Sequence, residues 1–284
     1  MSIVVTAATG ALGRLVVEEL LERVPADRVA VVVRSAEKAF DLAARGIDVR
    51  VADYDDPAAL AVAFRPGDRV LLISGNEIGR RVAQHTAVIA AAKAAGAAQL
   101  AYTGVLGGPE ADFELASEHT ATEQAVLASG LPFTFLRNGW YHENYTRDLP
   151  TVLGHGAVLA SAGEGRVASA ARADYAAAAA AVLTGEGHLN RIYELSGDTA
   201  WSLAEYAAEV SAQSGKEIAY SEVPADEHLR ILTDAGVPEG FAAIIVDVDA
   251  AIARGRLAGT GGDLARLIGR PTTPVAQAIG AALA

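Results

Sequence analysis

Short apolar runs rich in β-branched residues alternate with segments of helical periodicity through the first half of the chain. The runs predict strands, and their apolar character at consecutive positions is typical of a parallel sheet covered on both faces. The predicted strands are Ile3–Thr6, Val29–Arg34, Val49–Ala52, Arg69–Ser74, Gln99–Thr103 and Phe133–Arg137. Helices are predicted between them, at Ala11–Arg23, at Ala36–Ala44, from Pro57 onward and at Ile78–Ala95. This alternation predicts an α/β fold with a doubly wound, Rossmann-like parallel sheet.

The alternation weakens after residue 138, where glycines punctuate a stretch without clear periodicity. Helical patterns return later, and one of them opens with a capping box of Ser202 and Glu205. The predicted elements of this half are helices at Ala171–Leu183 and Ser202–Ser214 and strands at Arg191–Leu195 and Glu217–Val223. We therefore expect a dinucleotide-binding Rossmann domain at residues 1–137, with returns to its sheet around residues 166–195. Residues 138–284 are expected to form a smaller α/β substrate-binding region.

The segment after the first strand, TAATGALG at residues 6–13, is a candidate phosphate-binding loop. It leads from a strand into a helix, and Gly10 and Gly13 match the second and third glycines of the dinucleotide fingerprint. Ala7 stands where the first glycine is usual, and we expect a negative φ there because the rest of the pattern is kept. An ordinary strand-to-helix turn is the alternative. The candidate pyrophosphate contacts are Ala7, Ala8, Thr9, Gly10, Ala11, Leu12 and Gly13.

The residue that ends the second predicted strand bears on which dinucleotide is bound. An acidic residue at this place hydrogen-bonds the ribose of NAD, whereas an arginine accommodates the 2′-phosphate of NADP. Arg34 therefore predicts a preference for NADP(H), with a solvated strand-end arginine as the alternative. Ligands of such sheets lie outside the carboxyl ends of the strands. Further cofactor-binding candidates at those ends are Asp53, Ser74, Gly75, Asn76, Tyr102 and Thr103.

Composition narrows the class of partner. The formal net charge of −12 disfavours nucleic acids and anionic membranes, which both require a cationic surface. Without cysteine there is no disulfide, thiol catalysis or cysteine-ligated zinc, and the six histidines lack ligand spacing, so no metal site is predicted. The chain enters its first strand without a signal-peptide pattern and has no apolar run long enough to span a bilayer. A cytoplasmic location without membrane insertion is expected.

Several stretches give the chain a resemblance to the NmrA-like, atypical short-chain dehydrogenase/reductase family, and within it to the bacterial NADPH-dependent quinone reductases. They include TAATGALG, VVVRSAEKA, LLISGNEIGRR, SEHTATEQ, SGLPFTFLRNGWYHENY and LIGRPTTP. The resemblance implies a Rossmann domain and a small second domain that form a cleft, in which NADPH reduces a quinone. It implies that residues 138–143 line the nicotinamide and the quinone. Asn138 and Gly139 would be on the cofactor side, and Trp140, Tyr141, His142 and Glu143 on the substrate side.

Aromatic side chains at 140 and 141 suit a flat aromatic substrate, although packing inside the protein is an alternative role for them. The Tyr-x-x-x-Lys pair of the broader family is absent, because Leu115 and His119 stand at its two positions. This argues against an alcohol dehydrogenase or a sugar epimerase, but not against reduction of a quinone, which is a strong hydride acceptor. His119 is the candidate general acid, and a surface histidine paired with Glu123 is the alternative.

The sequence also fits two other functions. An NmrA-type redox sensor would bind the dinucleotide without turnover, and a missing catalytic pair would suit it. Reduction of another activated double bond, such as that of an enone, is a third possibility. A homodimer is the assembly considered, and a small-molecule quinone the expected partner.

Overall fold

The computed structural model describes all 284 residues, which divide into two compact units. The first unit contains most of the N-terminal half of the chain and a later segment. The second contains most of the remainder. In residues, the first comprises Met1–Gly108, Ser117–Asn138 and Ala173–Glu194, and the second Pro109–Ala116, Gly139–Arg172 and Leu195–Ala284. Elements are numbered along the whole chain.

The first unit is built on a seven-stranded sheet of order β3-β2-β1-β4-β5-β6-β9. Every pairing from β3 to β6 is parallel, with Val5 of β1 opposite Val31 on one side and Leu71 on the other. The strand order reverses between β1 and β4, which is where doubly wound sheets bind ligands. The strands are β1 Ile3–Thr6, β2 Val29–Val33, β3 Asp48–Val51, β4 Arg69–Leu72, β5 Gln99–Val105, β6 Phe133–Asn138 and β9 Arg191–Leu195.

Helices cover this sheet because its central strands are apolar at successive positions, and β1 and β2 are buried at every residue. One face of the sheet forms a core that includes Val4, Val32, Leu72, Tyr102 and Phe135. The helices are α1 Ala11–Leu21, α2 Phe40–Ala44, α3 Pro57–Ala63, α4 Arg81–Ala94, α5 Glu114–Ser129 and α8 Arg172–Thr184, of which α5 and α8 contribute residues 117–129 and 173–184 to this unit.

The second unit contains two small sheets and seven helices. Strand β7 pairs in parallel with β11, and β8 pairs antiparallel with β10. The rings of Tyr145, Trp201 and Tyr206 pack together with centroids 4.8–5.7 Å apart. Its elements are α6 Glu143–Thr146, α7 Leu149–His155, β7 Ala157–Ala160, β8 Arg166–Val167, β10 Trp201–Ser202, α9 Leu203–Ser214, β11 Ala219–Glu222, α10 Ala225–Asp234, α11 Glu239–Ala253, α12 Asp263–Ile268 and α13 Val275–Leu283.

The structure confirms the predicted α/β class, the doubly wound sheet and the capping box on α9. The helix predicted from Ile78 begins only at Arg81, because Gly79 has φ +84° and turns the chain out of helical geometry. Helices α6 and α7 lie after residue 138, where the sequence showed no clear periodicity, and neither they nor α5 were predicted. No helix combines the length and the hydropathy that crossing a membrane requires.

Candidate functional site

The carboxyl ends of β1, β4 and β5 are tied together by threonine side chains. The backbone N–H of Ile73 donates to Thr6 Oγ1 at 3.1 Å, and that of Ser74 donates to Thr103 Oγ1 at 2.9 Å. These bonds fix the segment that leaves β4 at the point where the strand order reverses. Several predicted cofactor residues lie near the ends of neighbouring strands in this unit, in the segments that follow those strands or in the first turn of α1: Ala7, Ala8, Thr9, Gly10, Ala11, Leu12, Gly13, Arg34, Asp53, Ser74, Gly75, Asn76, Thr103 and Asn138.

The loop between β1 and α1 turns at Ala7, whose φ is +49°. The expected negative φ is therefore wrong. The chain must reverse from strand to helix within a few residues, and the left-handed conformation directs the Ala7 carbonyl to the N–H of Gly10 at 2.9 Å. A non-glycine residue in this conformation costs about 1–2 kcal/mol, so the loop keeps the geometry of the missing glycine at an energetic cost.

Gly13 allows α1 to pack directly on this loop. A Cβ at Gly13 would lie 2.4 Å from the Ala7 carbonyl oxygen and 2.7 Å from the Ala8 Cα, whereas one at Gly10 would come only to 3.2 Å from the same oxygen. The N-terminus of α1 has no side-chain cap and no acidic residue in its first turn. Its N–H groups and the positive end of the helix dipole are therefore available to an anion, and the loop fits a pyrophosphate.

Arg34 follows β2 and is 71% exposed at its side chain. Its Nη1 lies 3.3 Å from Glu77 Oε1, and Glu77 Oε2 accepts a hydrogen bond from Arg80 at 3.1 Å. Arg80 also donates to Asp55, whose backbone N–H donates to Asp53 Oδ1. Ion pairs this exposed are weak and exchange readily, so the Arg34 guanidinium is accessible to a phosphate.

The segment after β4 is held by side chains from other elements. Gly75 donates its N–H to Nε2 of His85 at 3.0 Å and accepts a hydrogen bond from Arg81 Nε at 2.6 Å. Gly79 donates to Glu118 Oε1 at 2.8 Å, and Glu118 Oε2 lies 3.1 Å from Arg81 Nη1. Sequence reasoning missed His85, Arg81 and Glu118, because no motif marks a residue that acts on a distant backbone group.

Tyr102 and His119 form a buried pair in which the tyrosine hydroxyl lies 2.7 Å from His119 Nδ1. The pKa of His119 is lowered to about 3, mainly by burial and to a smaller extent by the nearby Arg81 guanidinium. The alternative of a surface histidine paired with Glu123 is wrong, because His119 is buried and Glu123 accepts two hydrogen bonds from Arg137. Tyr102 lies wholly within the core and has no exposed surface, so the predicted contact of this residue with the cofactor is wrong.

The predicted substrate residues lie in the second unit. Trp140 and Tyr141 are half-buried, and the Arg172 guanidinium lies 4.9 Å from the centre of the Tyr141 ring. His142 is buried, with Nδ1 2.8 Å from Ser169 Oγ and Nε2 2.8 Å from the Thr273 carbonyl oxygen. The Glu143 carboxylate accepts from the backbone N–H of Arg172. The two aromatic residues thus retain surface for a ligand, while both nitrogens of His142 have partners inside the unit.

The last two predicted positions lie at the end of β6. Asn138 is buried, and its backbone carbonyl accepts from the N–H of Leu106 at 2.9 Å. Gly139 belongs to the second unit, where its N–H donates to the Leu195 carbonyl at 2.7 Å. Both backbones are therefore fixed by hydrogen bonds.

Comparison with known proteins places this geometry in context. The model of the NAD(P)H-binding family matches residues 7–186. Quinone oxidoreductase 2 of Escherichia coli is 46% identical over 277 residues, which cover 98% of this chain and 97% of that protein. An NmrA-like family domain-containing oxidoreductase of Aspergillus flavus is 27% identical over 98% of this chain and 94% of its own length.

Solved structures show the same likeness. An NADPH-dependent quinone oxidoreductase of Escherichia coli, complexed with NADPH, superposes with a TM-score of 0.96 at 45% identity, covering 98% of this chain and 99% of that one. The triphenylmethane reductase of Citrobacter sp., complexed with NADP(H), superposes with a TM-score of 0.95 at 40% identity, covering 99% and 100%.

Proposed function

Because the chain belongs to the NAD(P)H-binding family, we propose that it is an NADPH-dependent quinone oxidoreductase that transfers a hydride from NADPH to a quinone. The observation that carries this proposal is the near full-length likeness to the Escherichia coli quinone oxidoreductase, in sequence and in its structure with NADPH. The residues of this chain that would hold the cofactor fit that assignment.

The cofactor residues divide into three groups. The loop from Ala7 to Gly13 would bind the pyrophosphate, because it offers uncapped N–H groups at a helix N-terminus. Arg34 would bind the 2′-phosphate, since its guanidinium is exposed and engaged only by a surface ion pair. Ser74, Gly75 and Asn76 would line the ribose, and Asn138 and Gly139 are assigned to the nicotinamide by the family resemblance.

When bound, NADPH supplies a hydride from its nicotinamide ring. The protein would contribute position rather than strong acid catalysis, because it lacks the tyrosine and lysine that relay protons in related dehydrogenases. Trp140 and Tyr141 would stack on the quinone ring, a contact worth about 0.5–1.5 kcal/mol beyond the burial of area. His142 and Glu143 would support them through their own hydrogen bonds to Ser169 and Arg172.

His119 would take part only as a neutral residue. Its lowered pKa keeps the buried ring uncharged at neutral pH, so it can share a hydrogen bond with Tyr102 but carries no extra proton to donate. The hydroquinone anion would then take its proton from water. We therefore expect the pH dependence of kcat to show no titration of His119 between pH 5.5 and 7.5.

The test is oxidation of NADPH followed at the nicotinamide absorbance band with a panel of acceptors. The panel contains benzoquinones and naphthoquinones, an enone and a triphenylmethane dye. Turnover with the quinones that exceeds turnover with the other acceptors is expected, and NADH should be a poorer donor than NADPH. R34A should remove that preference between donors. Tight NADPH binding without turnover of any acceptor would instead favour a sensor of the NmrA type.

A further inference from the structure

We infer that His85 is a positioning residue for the dinucleotide, because it fixes the backbone of Gly75 after β4. The inference rests on the proposed placement of Ser74 to Asn76 beside the cofactor. His85 lies on α4, is fully buried and has no exposed surface for a ligand. Its effect on the cofactor must therefore pass through Gly75.

The hydrogen bonds around His85 fix its tautomer. Gly75 can only donate its N–H, so Nε2 of His85 carries the lone pair that accepts it at 3.0 Å. The hydroxyl of Thr122 donates to the backbone carbonyl of Glu118 at 2.8 Å, so it accepts at 3.0 Å the proton that His85 holds on Nδ1. The ring is thus a neutral imidazole with one defined donor and one defined acceptor, which is a rigid connection between α5 and the backbone of Gly75.

A second side chain binds the other polar backbone group of Gly75, its carbonyl. Arg81 donates from Nε to the Gly75 carbonyl at 2.6 Å, and its Nη1 forms an ion pair with Glu118 Oε2 at 3.1 Å. Arg81 is buried, so this charged hydrogen bond lies away from solvent, where it is stronger than on the surface. His85 and Arg81 therefore hold the N–H and the C=O of one glycine, and we name these two residues the Gly75 clamp.

The clamp matters because no regular element fixes this segment. Strand β4 ends at Leu72 and helix α4 begins at Arg81, and the hydrogen bonds of the backbone at residues 73–75 are made with side chains. Glycine has the widest choice of backbone conformations of all residues. Without the clamp, Gly75 would sample several of them, and the cofactor would have to select one at a cost in affinity.

Two substitutions of His85 separate positioning from general stability. In H85Q the side-chain amide oxygen lies the same number of bonds from Cβ as Nε2 and can still accept from Gly75. In H85N the amide lies at the level of Nδ1, so it can reach Thr122 but not Gly75. We expect H85N to weaken NADP⁺ binding about tenfold, and H85Q to remain within about threefold of the wild type. The KM for the quinone should change less than twofold in both.

A matched control comes from the same helix. Val88 is fully buried on α4 and has no polar contact, so V88A should lower the unfolding temperature and leave NADP⁺ affinity unchanged. Binding is measured by calorimetry with NADP⁺ alone, and exchange of the Gly75 amide hydrogen by NMR. H85N should accelerate that exchange, and H85Q should restore slow exchange.

The inference is overturned if H85N binds NADP⁺ as the wild type does, if V88A weakens binding as much as H85N, or if H85Q does not recover it. These readouts need no quinone. If the wild type binds NADP⁺ but reduces no quinone, the proposed activity is wrong and the inference about the Gly75 clamp is unaffected. If the wild type binds no dinucleotide, the inference about the Gly75 clamp is wrong as well.

Discussion

Two loops of the first unit leave neighbouring strands at the reversal of the sheet, and they are held in different ways. The loop from β1 to α1 is held by its own backbone, through the bond between Ala7 and Gly10 and the close packing at Gly13. The segment from β4 to α4 is held at Ser74, Gly75 and Gly79 by side chains, namely those of Thr103, His85, Arg81 and Glu118. The conformation of the β1 loop depends on close packing without added side-chain volume. The conformation of the β4 segment depends on hydrogen bonds from side chains that are distant in the sequence.

This difference determines how each loop can fail. A loop held by close packing is sensitive to added volume and insensitive to pH, because no titratable group belongs to residues 7–10. A loop held by buried polar side chains tolerates volume better, but it depends on the protonation and hydrogen-bonding capacity of those side chains. Substitutions in the two loops test this difference.

The largest effect is expected at Gly13. In G13A the added methyl carbon would lie 2.4 Å from the Ala7 carbonyl oxygen, so helix and loop must separate. We expect a loss of at least about 3 kcal/mol of unfolding free energy, at the upper end of overpacking effects. Chemical denaturation measures it. The control is G154A, a helical position with nothing within 4 Å, which should not destabilise. Equal stability of the two variants would contradict the packing argument.

The second prediction concerns pH and the other loop. Burial lowers the pKa of His85 to about 3, below its ordinary value, so the folded protein keeps the ring neutral. The unfolded chain binds the proton first as pH falls, so this stability is present above pH ~6.5 and is lost as pH falls from there toward ~3. Between pH ~7.5 and ~5.5 the wild type should lose about 1 kcal/mol more than H85Q.

The groups around His85 make H85Q the right comparison. Arg81 and His119 face it, and burial lowers the pKa of His119 as well. Both proteins keep these neighbours and all carboxylates, so the difference between their pH profiles isolates His85. Denaturation at a series of pH values provides it, and parallel profiles would show that His85 does not titrate on unfolding.

The same division explains what the sequence could predict. The β1 loop was located from eight consecutive residues, because its determinants are local: a strand, two glycines and a helix start. Only the sign of φ at Ala7 was missed, since the need for a tight turn outweighs the preference of alanine. The contacts of Gly75 could not be predicted. Together with the bond between Gly79 and Glu118, they join residues 6 to 39 positions apart that have no common spacing, and only the folded sheet and helices bring them together.

A similar limit applies to burial. Helical spacing offered Glu123 as a partner of His119 in the alternative interpretation, but in the structure His119 bonds to Tyr102 on β5, because a buried imidazole needs a polar partner in the core. Trp140 and Tyr141 are half-buried, whereas both ring nitrogens of His142 are bonded to Ser169 and Thr273. The sequence predicts which residues are neighbours along one helix or strand. It does not predict which of several partners on different elements a side chain will contact.

The third prediction returns to Ala7. A7G removes the cost of a left-handed alanine but increases the entropy of the unfolded chain, so we expect a net gain of about 0.5–1 kcal/mol. NADP⁺ affinity should stay within twofold, because the loop already has this conformation. N190G is the control at the other non-glycine residue with positive φ, where loss of the hydrogen bond from Phe133 N–H to the Asn190 side chain should cancel any gain. A destabilised A7G would show that the turn is not strained.

The smallest effect is expected where the β4 segment reaches solvent. Glu77 belongs to that segment but engages Arg34 and Arg80 through exposed contacts of 3.3 and 3.1 Å, which contribute little to stability. Since the proposed 2′-phosphate would share Arg34 with this carboxylate, E77Q should lower the KM for NADPH about two- to threefold and leave that for NADH unchanged. E227Q, which removes an exposed carboxylate on α10, should change neither value. Weaker use of both cofactors by E77Q would mean that Glu77 contacts the ribose directly, and the exposed part of the segment would then position the cofactor as its buried part does.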